Sequence, residues 1–72
     1  MNLQTAIYNK VLEPKYLKVY MYIEELKRGS NNGIRNIHKQ DIVDVLSDII
    51  LIKEKYRIPY IEDIELLEKY KK

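Results

Sequence analysis

Apolar residues recur along this chain at intervals of three and four, the spacing that lines one face of a helix. Residues 3–12 carry Leu3, Ala6, Ile7 and Val11 in that rhythm, with Asn2 placed to cap the first turn. Pro14 is expected to end this helix, because the residue before a proline disfavours the α region, and to open the next one. Residues 15–28 carry Val19, Tyr22, Ile23 and Leu26 at i, i+3, i+4 and i+7. They also alternate, with Leu17, Val19, Met21 and Ile23 separated by Lys18, Tyr20 and Tyr22, as a strand would. Length, and the run Glu24-Glu25-Leu26-Lys27-Arg28 before a glycine, favour a helix. Such a helix is apolar on two faces, since Leu17 and Met21 lie off the main stripe, and burial of both faces is expected.

The C-terminal half repeats one charge order twice. Asp41, Asp44 and Asp48 precede Lys53, Lys55 and Arg57; Glu62, Asp63 and Glu65 precede Lys69, Lys71 and Lys72. Acids first and bases last is the order a helix dipole favours, at ~0.3–1 kcal/mol per charge. The pattern predicts helices over 39–56 and 60–71, parted near Ile58-Pro59. The first presents Ile42, Val45, Leu46, Ile49, Ile50 and Tyr56 on one face, and the second Ile61, Ile64, Leu67 and Tyr70. Leu51 falls opposite Ile42, among Asp44, Asp48 and Lys55, either as a lone exposed apolar residue or as part of a second interface. Gly29-Ser30-Asn31-Asn32-Gly33 holds the only two glycines and is expected to be a loop at 29–33.

The fold class is therefore all-α: one domain over residues 1–72, a small bundle of about four helices. The alternative is an α+β fold with a strand at 16–23 or 49–52, where Ile49-Ile50-Leu51-Ile52 also reads as a buried strand. A domain of this size buries only about 60% of its unfolded surface. With no cysteine and one histidine, neither a disulfide nor a Cys/His zinc site can staple it. At 46% apolar residues the chain has ample core material, more than a small monomer hides, which points to self-association. The segment Met1 to Ala6 lacks the basic start and apolar run of a signal peptide, so a cytoplasmic location is expected. No run approaches the ~20 apolar residues that cross a bilayer. Ile, Lys, Tyr and Asn supply 33 of the 72 residues. All have AT-rich codons, as expected of an AT-rich genome or one of its phages.

Candidate chemistry is sparse. His38 has Asp41 three residues on, but a general base also needs a substrate-lined cleft, and a surface histidine is the expectation. Asp41, Asp44 and Asp48 share a helical face, as a solvated acidic first turn does; hard-cation sites draw on loops or several elements. Ser30 and Ser47 stand in no nucleophile-elbow context. All seven aromatic residues are tyrosines, a type enriched at interfaces, and Tyr16, Tyr20 and Tyr22 cluster. Residues 27–39 carry Lys27, Arg28, Arg35 and Lys39 with no acid, although the net charge of the chain is only +2.

Residues 51–68, from Leu51-Ile52-Lys53-Glu54-Lys55-Tyr56 to Asp63-Ile64-Glu65-Leu66-Leu67-Glu68, resemble the end of a helix-turn-helix motif in bacterial winged-helix regulators. The resemblance spans about a quarter of the chain and implies DNA binding. Its departures are a short turn without glycine and a would-be recognition helix bearing Glu62, Asp63, Glu65 and Glu68, where groove readers need Arg, Lys, Asn or Gln. No function is carried over from it.

The expected function is that of a small non-enzymatic protein-binding regulator or adaptor, homodimeric and phage- or prophage-encoded. It would bind itself and another protein, with no cofactor, metal, membrane or small-molecule substrate. Its contact residues are expected to be Tyr16, Leu17, Tyr20, Met21 and Leu51. The alternative is a helix-turn-helix-like DNA-binding regulator contacting phosphates through Lys27, Arg28, Arg35 and Lys39.

Overall fold

The computed structural model describes residues 2–29 and 32–71. All its elements are helical: α1 (Leu3–Ile7), a π-helical turn (Tyr8–Leu12), α2 (Glu13–Lys27), α3 (Asn32–Lys55) and α4 (Ile61–Lys71). No strand occurs among the described residues, so 16–23 and 49–52 are both helical. The Asn2 side chain accepts from the Thr5 N–H at 2.8 Å, the cap its position predicts.

Pro14 does not separate two helices. Glu13 holds φ −57° and ψ −48°, and α1, the π turn and α2 form one unbroken rod. Within the π turn the Glu13 N–H reaches back five residues to the Tyr8 carbonyl. A proline ring inside a helix collides with the carbonyl four residues earlier, here that of Lys10. Lys10 lies in the widened turn, so the chain passes through Pro14 without breaking.

Two further boundaries differ from expectation. α3 begins at Asn32, not at 39, so Asn32 and Gly33 belong to a helix. Of the expected loop at 29–33, Gly29 ends α2 at φ 81°, and Ser30 and Asn31 lie outside the described residues. Most of the acid-free stretch is thus helical.

The core is a single seam. Leu12, Val19 and Leu26, seven residues apart on the first rod, meet Ile42, Leu46 and Ile49 of α3. The pair runs antiparallel: Lys15 lies 3.8 Å from Asp48, and Arg35 donates to the Leu26 carbonyl at 2.9 Å. α4 folds back along α3 and adds Leu66, Leu67 and Tyr70 to the seam. The resulting body measures 43 × 20 × 14 Å, with α3, about 36 Å long, spanning most of its length. Its accessible surface of 5330 Å² exceeds the roughly 4,700 Å² typical of a monomer of this mass.

One seam cannot cover every apolar face. The second face of α2 is exposed, not buried as expected, with Leu17 at 62% and Met21 at 53% accessibility. α4 is rotated from the predicted face: Ile61 and Ile64 are exposed, and Asp63 turns inward instead. The cause of that rotation lies in the partners of Asp63.

Candidate functional site

The α3–α4 turn closes one end of the molecule. The Ile58 N–H donates to the Lys53 carbonyl at 2.8 Å and the Arg57 N–H to the Glu54 carbonyl at 3.3 Å, which together make a Schellman cap. Arg57 takes the left-handed position at φ 59°, where glycine is usual. From the first rod, the Gln4 amide donates to the Tyr56 and Arg57 carbonyls at 3.2 and 3.4 Å. The turn aims α4 so that Asp63 meets Lys53, with Nζ 2.6 Å from Oδ2, while the Tyr16 hydroxyl donates to Oδ1. The Lys53 ammonium also stands 5.2 Å from the centre of the Tyr16 ring.

Lys53 and Asp63 are the two buried charged residues of the described chain. Burying a charge is costly unless its partners are complete. Here Lys53 and Tyr16 occupy both carboxylate oxygens, and the first turn of α4 adds a favourable dipole. Burial first, then the hydrogen bond to the Asp63 carboxylate and its charge, hold the Tyr16 hydroxyl well above the usual tyrosine pKa. This trio was missed in the sequence. Its signal was present: Lys53 interrupts the apolar row of Ile42, Leu46 and Ile49 in register, and Asp63 sits in register with Leu66, Leu67 and Tyr70.

The expected protein-contact residues divide. Tyr16 is half-buried in the trio, its ring 6.2 Å from that of Tyr8 and 6.3 Å from that of Tyr20. Leu17, Tyr20 and Met21, at i, i+3 and i+4, form an exposed row on α2, with Tyr20 57% accessible. Leu51 is 64% accessible but belongs to α3, on the side turned away from Ile42, Leu46 and Ile49. The structure groups three of the five and leaves Leu51 on a separate face.

The four basic candidates have different surroundings. Lys27 pairs with Glu24 at 3.7 Å and Arg28 with Glu25 at 3.2 Å, each one turn back. Arg35 donates to the Leu26 carbonyl at the end of α2, which also accepts the Gly29 N–H at 3.3 Å. Lys39 lines a groove between α3 and α4.

The remaining polar residues are mostly engaged. The His38 ring stacks on Tyr22 at 5.6 Å, and its Nδ1 is buried without a hydrogen-bond partner. Asp44 accepts from Gln40, Asp48 pairs with Lys15, and the Ser47 hydroxyl donates to the Val43 carbonyl. The described residues hold no group of three or more His, Cys, Asp or Glu side chains able to bind a metal ion. No described helix is long and apolar enough to cross a membrane. Comparison with protein-family models, with curated proteins and with solved structures returns no match.

Proposed function

We propose that the protein is a small non-enzymatic regulator or adaptor that works through protein contacts, first of all with a second copy of itself. The observation that carries this reading is the exposed row Leu17, Tyr20 and Met21 on a helix whose opposite side already builds the core. Fully covering one such side chain is worth about 1.5–3 kcal/mol, and three in register make a binding stripe. A two-fold pairing of α2 rows matches each stripe with its own copy, the commonest form of self-association. The surface beyond that of a typical monomer agrees with it. The AT-rich-codon residues fit a phage or prophage origin, and the absence of cysteine fits the cytoplasm.

Light scattering of the full chain tests the pairing. The dimer predicts twice the 8.7 kDa chain mass at high micromolar concentration, and half of that for Leu17→Glu with Met21→Lys. A clean wild-type monomer at that concentration overturns the reading.

A further inference from the structure

At the end of the molecule away from the α3–α4 turn, α3 and α4 leave a groove of about 440 Å³ lined by Asn36, Lys39, Gln40, Val43, Tyr70 and Lys71. The four α3 residues stand at i, i+3, i+4 and i+7, so one helix face supplies an ammonium, two amides and an aliphatic floor. α4 supplies the Tyr70 wall and a second ammonium. Elsewhere Lys15, Lys27, Arg28 and Lys53 pair with carboxylates and Arg35 caps a carbonyl, while Lys10, Lys18, Lys55, Arg57 and Lys69 stand apart from any carboxylate among the described residues; what distinguishes Lys39 and Lys71 is that they line one groove. Lys39 and Lys71 make no ion pair among the described residues. A third cation, Lys69, stands 5.6 Å from the Tyr70 ring centre.

The dipole at the end of α4 accounts for Lys71, but not for Lys39, which stands about two turns inside α3. Two ammonium groups lining one groove repel each other, and an anion between them relieves that repulsion. The Gln40 amide gives one N–H to Asp44 at 2.9 Å, which orients the amide and leaves its second N–H and its carbonyl oxygen for a ligand. The groove thus offers two cations for an anionic group and an acceptor for an adjoining polar group. Its volume falls in the range of small-molecule sites, about 300–1,000 Å³.

We propose that this groove binds a phosphate ester of the nucleotide class. Lys39 and Lys71 take the phosphate oxygens, and the Asn36 and Gln40 amides take a polar edge of the esterified group. A free nucleotide and a nucleotide within a strand share this chemistry. The site uses none of the residues of the proposed dimer stripe, so the two proposals stand or fall separately.

Amide NMR of the full chain, titrated with adenosine monophosphate, adenosine and a short single-stranded oligonucleotide, tests the site. Adenosine monophosphate is expected to shift the amides of 36–43 and 70–71, and adenosine to leave them in place. Lys39→Gln with Lys71→Gln, whose changes lie outside the core, should keep the helical spectrum and weaken binding by about tenfold or more. A strand that binds about a hundredfold tighter than the mononucleotide, with steep salt dependence, identifies the source as nucleic acid; equal affinities identify a free nucleotide. The proposal is overturned if neither phosphate ligand shifts the groove, if adenosine shifts it equally, or if the double variant binds as the wild type does.

Discussion

The two ends of this molecule solve the same problem by opposite means. Each must turn one helix into another and satisfy the carbonyls left open. At the α3–α4 end the turn is sealed: Gln4 covers two carbonyls, Arg57 takes a strained left-handed backbone, and Tyr16, Asp63 and Lys53 complete one another's bonding. At the α2–α3 end Gly29 takes the left-handed position without strain, Arg35 reaches back to one carbonyl, and two lysines of the nearby groove make no ion pair among the described residues. Stability is concentrated where polar groups are buried and complete. The proposed groove lies at the other end.

Breaking the sealed end should have the largest effect. Asp63→Ala strands a buried ammonium and should cost about 3–5 kcal/mol in urea unfolding. Adding Lys53→Met should recover most of that loss, because two apolar residues leave no unpaired charge. If Asp63→Ala costs no more than the open-end change Lys39→Gln, expected within about 0.5 kcal/mol of wild type, the contrast between the ends is lost.

Alkaline pH gives a graded effect at the same end. The folded state holds the Tyr16 proton more tightly than the unfolded chain, whose tyrosine titrates near 10.0. The folded state therefore binds more protons once pH passes that value, and stability must fall as pH rises further. Urea midpoints measured from pH 9 to 11 should show a decline attributable to this residue. Tyr16→Phe should have a shallower decline than the wild type, and an identical slope would remove Tyr16 from the account.

The smallest effects compare the two left-handed residues directly. Arg57→Gly should raise stability by roughly 0.5–1 kcal/mol, since glycine adopts that backbone without a Cβ penalty. Gly29→Ala should lower it by about 1–2 kcal/mol, although nothing lies within 4 Å of the added methyl group. Thermal melts of the two variants should therefore move in opposite directions, and a shared direction would show that backbone strain does not separate the turns.

The helical class and the α3 face were legible because apolar side chains dictate a period. Ile42, Leu46 and Ile49 are buried where that period places them, with Val45 and Ile50 half-buried beside them. The face of α4 was not legible. Periodicity weighs Ile61 and Ile64 above Asp63, yet a carboxylate that finds both a lysine and a tyrosine hydroxyl can outweigh two isoleucines. Such a trio joins residues 47 and 10 positions apart in the chain, beyond any local window. The exposure of Leu17 and Met21 was not legible for a related reason. Their hydrophobicity is plain, but whether anything covers them depends on how many layers the fold has, and this one has a single seam. The contact residues and the groove therefore stay proposals built on placement. The sequence carried the tyrosine cluster and the acid-free stretch, but not that Lys39 and Lys71 line one groove.

The π turn at Tyr8–Leu12 sets the phase between the two parts of the first rod. It holds one more residue than an α turn, and each residue is worth about 100° of rotation. Residues 3–7 are thereby indexed separately from the heptad of Leu12, Val19 and Leu26. Removing one residue between Tyr8 and Leu12 would leave that heptad intact and swing Gln4 about a quarter-turn from the carbonyls of Tyr56 and Arg57. The first two turns of the rod thus act as a keyed stopper for the far end of α3, cut to fit by a single surplus residue.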